Sequence, residues 1–424
     1  MNTRLAIISD LHIGAKAISQ DLDNPRSAIP DFLEQFGDFV DKFKLAADAL
    51  LVPGDLTSEA EPEQFRKANG AIREVASKLQ IPDSRIAIIP GNHDVDWKVL
   101  KLRQNGRQRR KNPAPQIDPL RLKQRYDPLL LMDLFPKSND SGFSGSLTTP
   151  PYVGHWTLGS LSVFGLNTAY HDGPEQCHFG QVDDTQISAL RKMHASSAPS
   201  DLRILLLHHH PVQYRDPIQG APDFSHLQNA ESLHKLAAEI DIDVIVHGHK
   251  HSPRLQETRL SGNRPTCVIA AGSFCAELDT RWAACVSNQF HLLSIEGRDT
   301  RSGAVYGHLQ SWAYVHARGW VESKEEHHGI HGVEGFGNDL HNNEIVTMAG
   351  TFILEQIAKC GWLKWSDIVR HQPRLRHLNV ARRGEVVTQL CEKFGLDAHD
   401  GGDPIILQPK DPSESDAEEM PDGR

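Results

Sequence analysis

Short apolar runs of strand length alternate with stretches of helical spacing through the first 300 of the 424 residues. Helical spacing occurs, for example, at Phe32, Phe36 and Phe39. The apolar runs are 5–8, 49–52, 86–89, 161–166, 204–207, 244–246, 267–271 and 290–295. Helix-length connections favour parallel strand pairing, and the closer later strands allow an antiparallel portion or a second sheet. This alternation predicts an α/β fold.

Polar side chains follow five of these strands at the point where each strand ends. The five segments read Asp10-Leu11-His12, Gly54-Asp55, Gly91-Asn92-His93-Asp94, His208-His209-His210-Pro211 and His247-Gly248-His249-Lys250-His251. Ligands of open α/β sheets bind beyond the carboxyl ends of the strands. Mixed oxygen and nitrogen donors suit Mn, Fe or Zn better than Ca or Mg. We therefore expect a metal site at these strand ends.

None of these segments is by itself specific for a metal site. A Gly-Asp pair occurs by chance in a chain of this length, as at Gly37-Asp38 and Gly402-Asp403, and three histidines before a proline also fit a solvated turn. The ordered set of five is far more specific, because each member follows a predicted strand.

In this order the segments resemble the signature of the calcineurin-like metallophosphoesterases, a family that includes purple acid phosphatases, class III cyclic-nucleotide phosphodiesterases and the Mre11/SbcD nucleases. The resemblance covers residues 5 to about 297 and implies a four-layer αββα sandwich with two metal ions at one end. It implies three groups of ligands: Asp10, His12 and His251 on the first metal, Asn92, His209 and His249 on the second, and Asp55 between them. His208 remains an alternative to His209.

The same resemblance gives His93 a catalytic role without metal ligation. Its imidazole would protonate the leaving oxygen or stabilise charge on the phosphoryl group, and Asp94 would orient it. Two divalent or trivalent cations about 3.5 to 4 Å apart lower the pKa of a shared water and neutralise phosphoryl oxygens. The expected reaction is hydrolysis of a phosphodiester.

Apolar runs and cysteine spacing indicate in which compartment we expect the protein. No apolar run approaches the roughly 20 residues that span a bilayer, and MNTRLAIISD leads directly into a predicted strand. The six cysteines show no C-x-x-C spacing, so we expect reduced thiols rather than disulfides or a zinc knuckle. These features predict a cytoplasmic protein that does not bind membranes.

A basic segment interrupts the predicted domain within an insertion at about 98–155. Between Lys98 and Arg125 it has ten basic residues against the single acid Asp118, in a chain with a net charge of −10. The block fits a polyanion held over the metals, and it fits a solvated loop equally well. Gly142 to Gly145 and Pro150-Pro151 are typical of a lid or hinge.

The remaining chain divides into three parts. Residues 298–342 contain a predicted edge strand and a linker rich in Gly and His; His327, His328, His331 and His341 favour a linker over a second metal site. Residues 343–407 predict three helices and a short strand, and the acidic residues 408–424 predict disorder.

The helical unit fits either a winged-helix DNA reader or an adaptor that recruits another protein. Its candidate phosphate contacts are Arg370, Arg374, Arg376, Arg382 and Arg383. The adaptor is favoured because no helix has the run of Arg, Asn and Gln that base reading requires.

Two functional classes fit the whole chain. One is a dinuclear phosphodiesterase acting on a nucleotide or a nucleic-acid strand, and the other is a degenerate phosphoesterase fold that binds or regulates without catalysis. The complete ligand set favours the enzyme, since a binding module would be free to lose Asp55 or Asn92.

Overall fold

The computed structural model divides into two compact units, Met1–Val333 and Glu334–Arg424. The residues described are 2–17, 32–101, 123–138, 140–172, 179–213, 225–260, 264–278, 283, 285–315, 318–323, 329–330, 332–399 and 406–410. Six cations of the basic block and three histidines of the predicted linker lie outside these ranges: Arg103, Arg107, Arg109, Arg110, Lys111, Arg121, His327, His328 and His331. Among the described residues, no helix combines the length and apolarity needed to cross a membrane.

Helices and strands of the first unit follow the predicted alternation. In chain order they are β1 (Thr3–Ile7), α1 (Phe32–Phe43), β2 (Ala49–Val52), α2 (Pro62–Lys78), β3 (Ile86–Ile88), α3 (Trp97–Lys101), β4 (Phe143–Ser146), β5 (Val153–Leu158), β6 (Leu161–Leu166), α4 (Asp184–Ser196), β7 (Leu202–Leu207), α5 (Ala230–Glu239), β8 (Val244–His247), β9 (Arg254–Thr258), β10 (Thr266–Ala270), β11 (Gln289–Arg298), β12 (Val305–Val315) and β13 (Gly319–Glu322). Each predicted apolar run forms a strand.

Two large sheets form the centre of this unit. The first has the order β13-β12-β11-β1-β2-β3, and the second has the order β4-β5-β6-β7-β8-β10-β9. Strands β1, β2 and β3 pair in parallel, as do β6, β7, β8 and β10, whereas the outer pairs are antiparallel. Parallel strands end at the same edge of their sheet, so three predicted motif segments lie together after β1, β2 and β3 of the first sheet and two lie together after β7 and β8 of the second.

Helices cover both sheets. Phe36 and Phe39 on α1 pack edge to face against Phe290 of the first sheet, because their spacing places them on one helical face. Leu190 of α4 and Leu233 of α5 are fully buried against the second sheet. Helix, sheet, sheet and helix give the predicted αββα sandwich, and the fold class is confirmed.

Part of the expected insertion belongs to the second sheet. Gly145 lies in β4 and pairs with Gly154 of β5, and Tyr152 donates to the Thr149 carbonyl in the turn between these strands. The lid or hinge interpretation of this glycine and proline segment was wrong, because the segment forms a β-hairpin at the sheet edge.

The second unit contains three helices and a small sheet. After β14 (Val333–Phe336), which begins at the unit boundary, come α6 (Asn342–Cys360), β15 (Leu363–Lys364), α7 (Trp365–His371), α8 (Val380–Phe394), β16 (Leu396–His399) and β17 (Ile406–Pro409). Strand β17 pairs antiparallel with both β15 and β16. Ile353, Trp365 and Leu390 are buried together in its own hydrophobic core.

Candidate metal centre

Five polar residues at strand ends adopt left-handed backbone conformations. They are Asp10 (φ 50°), His12 (φ 48°), Asp55 (φ 52°), His249 (φ 83°) and His251 (φ 52°), among eleven described non-glycine residues with positive φ. Such conformations cost about 1–3 kcal/mol each and persist only where surrounding contacts enforce them. Their concentration after parallel strands of both sheets is typical of a functional site.

Close contact between the loops after β1, β2 and β3 enforces these conformations. The Asp10 amide donates to the Gly54 carbonyl (3.1 Å), and the His12 amide donates to the Asp55 carbonyl (3.0 Å). A Cβ at Gly54 would lie 2.6 Å from the Gly91 nitrogen, and one at Gly91 would collide with Asp55 Oδ1. Glycine at these two positions lets the loops approach one another.

The first group of candidate metal-binding atoms comes from the loops after β1, β2 and β8. His12 Nε2 lies 3.0 Å from His251 Nε2 and 3.6 Å from Asp55 Oδ2. Asp10 Oδ1 lies 3.3 Å from His251 Nε2. Two imidazole nitrogens and two carboxylate oxygens therefore converge on one small volume, as the sequence predicted.

A second group lies on the other side of Asp55. His249 Nδ1 is 2.9 Å from Asn92 Oδ1 and 3.2 Å from His208 Nε2. His208 Nε2 is 3.1 Å from Asn92 Oδ1 and 3.3 Å from Asp55 Oδ2. One carboxylate oxygen, Asp55 Oδ2, thus faces both groups.

The triple histidine occupies a different register from the one expected. His208 Nδ1 contacts the Pro53 carbonyl (2.7 Å), which turns Nε2 toward Asp55. His209, expected at this place, instead has Nδ1 2.8 Å from Thr168 Oγ1 and Nε2 3.4 Å from Asp172 Oδ2. Strand β7 ends at Leu207, so the first histidine after it enters the cluster.

The electrostatics of the cluster favour a cation. Burial acts to lower the pKa of His208, but the Asp55 carboxylate outweighs it and raises this pKa to about 9. Burial acts to raise the pKa of Asp55, but His208 and His93 hold it well below its usual range. Imidazole lone pairs and carboxylate oxygens that converge at 3 Å repel one another unless a proton or metal lies among them. The donor set therefore fits metal ions.

His93 lies beside the first group. Its Nδ1 lies 2.9 Å from the Ser58 carbonyl and therefore carries the proton of this hydrogen bond. Its ring is 4.8 Å from the His12 ring. Ser58, rather than the expected Asp94, orients this imidazole.

Asp94 instead connects the loop after β2 with the loop after β3 through hydrogen bonds. Its carboxylate accepts hydrogen bonds from the amides of Gly91 (2.8 Å), Leu56 (2.9 Å) and Thr57 (3.0 Å). Burial and the nearby Asp55 raise the pKa of Asp94 to about 7, although these amides favour its charged form. The catalytic orienting role expected for Asp94 is replaced by a structural one.

A cavity of about 190 Å³ opens at the first group. Its lining residues are His12, Lys16, Asp55, Asn92, His93, His249, His251, Ala276 and Glu277. Sequence analysis did not indicate Lys16, Ala276 or Glu277. No motif includes them, and only the tertiary fold brings Lys16 and Glu277 together.

Lys98 and Arg125, at the two ends of the basic block, each contact other groups of the protein. Arg125 is 1% exposed, and its guanidinium donates to the carbonyls of Tyr170 and Asp172. Lys98 forms an ion pair with Glu61. Arg125 therefore fits neither the polyanion contact nor the solvated loop, because its guanidinium is buried against backbone.

A family model described as calcineurin-like phosphoesterase matches residues 3–253. The chain belongs to this family. It is 24% identical over 270 residues to a probable cyclic nucleotide phosphodiesterase of Rhodococcus erythropolis, which covers 64% of this chain and 69% of that protein.

The similar solved structures share less sequence identity with this chain. The chain is similar to YfkN of Bacillus subtilis, with 12% identity, TM-score 0.33, and coverage of 72% and 87% of the two chains. It is also similar to GAP50, the anchor in the inner membrane complex of Plasmodium, with 12% identity, TM-score 0.38, and coverage of 74% and 84%.

Proposed function

We propose that this calcineurin-like phosphoesterase is a dinuclear metal-dependent phosphodiesterase. The observation that supports it is the position of Asp55 Oδ2, which lies 3.6 Å from His12 Nε2 and 3.3 Å from His208 Nε2. The proposed ligands of the first metal are Asp10, His12, Asp55 and His251. Those of the second are Asp55, Asn92, His208 and His249.

The protein would supply position and proton transfer. Two bound cations of the Mn, Fe or Zn type would lower the pKa of a water and neutralise the phosphoryl oxygens. Asp55 Oδ1 accepts a hydrogen bond from the His93 amide (2.9 Å), so the central carboxylate also fixes the backbone of the proposed acid. His93 Nε2 would then give its proton to the leaving oxygen while Nδ1–H stays bonded to Ser58.

The proposed substrate is a phosphodiester in a nucleotide or a nucleic acid. Support for a nucleotide comes from the Rhodococcus relative, whose printed function is probable cyclic nucleotide phosphodiesterase. The engagement of Lys98 and Arg125 weakens the support for a strand, since these two cations are held by Glu61 and by backbone carbonyls.

We also propose that residues 343–407 act as an adaptor for a protein partner rather than as a DNA reader. Arg382 donates to the carbonyls of Asn338 and Leu340, and Arg374 pairs with Asp339 (2.9 Å). The Arg382 guanidinium is thus held by backbone of its own unit, which weakens the support for a phosphate contact through this residue.

The proposed function is tested by metal content and turnover together. Full-length wild type, Asp55→Ala and Asn92→Ala would be reconstituted with Mn²⁺ and analysed by elemental analysis. Each would then be assayed with bis-p-nitrophenyl phosphate, cyclic nucleotides, DNA and RNA. We expect about two ions in wild type, at least one ion fewer in each variant, and no hydrolysis by the variants.

The exposed Asp140→Ala is the matched control and should behave as wild type. Wild type that binds metal but hydrolyses none of these esters would support the degenerate binding module. Variants that keep both ions and normal turnover would contradict the ligand assignment.

A further inference from the structure

One wall of the cavity comes from segments outside every ligand motif. Lys16 lies in the segment between β1 and α1, and Glu277 lies in the segment between β10 and β11. Both line the cavity together with His12, His93 and His251. A substrate bound at the first group of ligands would therefore lie beside one ammonium and one carboxylate group.

The backbone that carries Lys16 is fixed on both sides. Its amide donates to Ser58 Oγ (3.1 Å), and that hydroxyl donates to the His12 carbonyl (2.6 Å). The Lys16 carbonyl accepts from the Glu277 amide (2.6 Å), and a β-bridge joins Ala17 to Ala276. The backbones of Lys16 and Glu277 are thus fixed relative to the proposed ligand His12, and both side chains are exposed.

Neither charge is neutralised within the described part of the chain. No described carboxylate forms an ion pair with the Lys16 ammonium, and no described cation pairs with Glu277. Lys16 is also the single Lys or Arg among the described residues that line the cavity. One such cation can contact one phosphoryl group at the cluster, whereas a nucleic-acid strand is bound through several cations.

We propose that Lys16 is a substrate-binding residue that contacts the phosphoryl group of a small phosphoester, and that Glu277 disfavours ligands with a second phosphate at this rim. The inference rests on the proposed function, because it takes the phosphoryl group to be bound at the metal cluster. It selects substrates with one phosphate, such as a mononucleotide, over longer polyphosphates and strands.

Equilibrium binding tests the role of Lys16 without requiring turnover. Full-length protein loaded with Mn²⁺ would be titrated calorimetrically with inorganic phosphate. Lys16→Gln should weaken binding roughly ten- to a hundredfold, as expected for a hydrogen bond to a charged group, with metal content unchanged. Lys16→Arg should bind within about threefold of wild type, because it keeps the charge.

Adenosine mono- and diphosphate test the role of Glu277. Glu277→Gln should tighten diphosphate binding about threefold or more relative to monophosphate, because it removes repulsion of the second phosphate. Lys123→Gln, an exposed cation outside the cavity, is the control and should leave all three affinities unchanged.

The outcomes distinguish this inference from the proposed function. Phosphate binding that falls in Lys16→Gln supports the inference, even if wild type hydrolyses no ester and the proposed function fails. Phosphate affinity that is equal in Lys16→Gln and wild type, or is absent in wild type, overturns it while leaving any observed hydrolysis intact. If Glu277→Gln leaves the ratio of the affinities for adenosine diphosphate and monophosphate at its wild-type value, the proposed role of the carboxylate is overturned.

Discussion

A measurable part of the stability that the protein loses at acid pH should come from His291 on β11. This side chain is fully buried, with Nε2 2.7 Å from the Ala271 carbonyl and Nδ1 2.8 Å from Ser311 Oγ. Burial lowers its pKa to about 4, whereas an unfolded histidine titrates near ~6.5. Between these values only the unfolded state takes up the proton, so stability is present above pH ~6.5 and falls as the pH decreases toward 4.

The two pKa values fix the size of the effect. Proton linkage gives a loss of about 2 kcal/mol in unfolding free energy between pH 7.5 and pH 5 from this one residue. His291→Gln replaces the imidazole with an amide that cannot titrate in this range. Whatever its stability at pH 7.5, the variant should therefore lose about 2 kcal/mol less than wild type on acidification.

Urea unfolding at both pH values measures this difference, with a chelator present so that metal binding does not contribute. Gln256→Ala on β9, an exposed position without a titratable group, is the control and should keep the wild-type difference. Equal acid losses in wild type and His291→Gln would refute the reasoning, since they would mean that burial does not keep this imidazole neutral.

Three further predictions concern the cluster and the second unit. His208→Ala should lower metal content and turnover far more than His209→Ala, because His208 Nε2 is the nitrogen that faces Asp55 Oδ2; the reverse order in elemental analysis and kinetics would restore the original register. His93→Ala should keep its metal but lose about 10² to 10⁴-fold in turnover on esters with poor leaving groups, with nitrophenyl esters partly spared; an equal loss on both would assign His93 to charge stabilisation. Arg382→Met should destabilise the second unit by about 1–3 kcal/mol for each carbonyl left unpaired, visible as faster hydrogen exchange in α8, while phosphodiester hydrolysis stays unchanged; unaltered exchange would count against the structural role of this guanidinium.

The sequence predicted the strand ends well because hydrophobic runs and the polar residues after them are local features. Asp10, His12, Asp55, Asn92 and His249 each follow a strand directly or within a few residues. The order of these segments then locates one edge of the sheets without knowledge of long-range contacts.

Features that depend on where a chain turns were not predictable in the same way. Three consecutive histidines give equivalent local signals, and the choice among them depends on β7 ending at Leu207 and on the carbonyl of Pro53, 155 residues away from His208. Arg125 was similarly indistinguishable from other cations of the basic block, because its acceptors Tyr170 and Asp172 lie in another part of the sequence.

The same distinction between local and long-range information applies to substrate choice. Ligand type follows from short motifs, but the charge that a substrate meets follows from which distant segments line the cavity. Here Lys16 and Glu277 are 261 positions apart and are joined by one backbone hydrogen bond, so no count of basic residues along the chain could reveal their pairing. Net charge in a sequence window therefore does not identify the ligand by itself, whereas one cation and one acid among the described residues that line the cavity support the proposed ligand with a single phosphate.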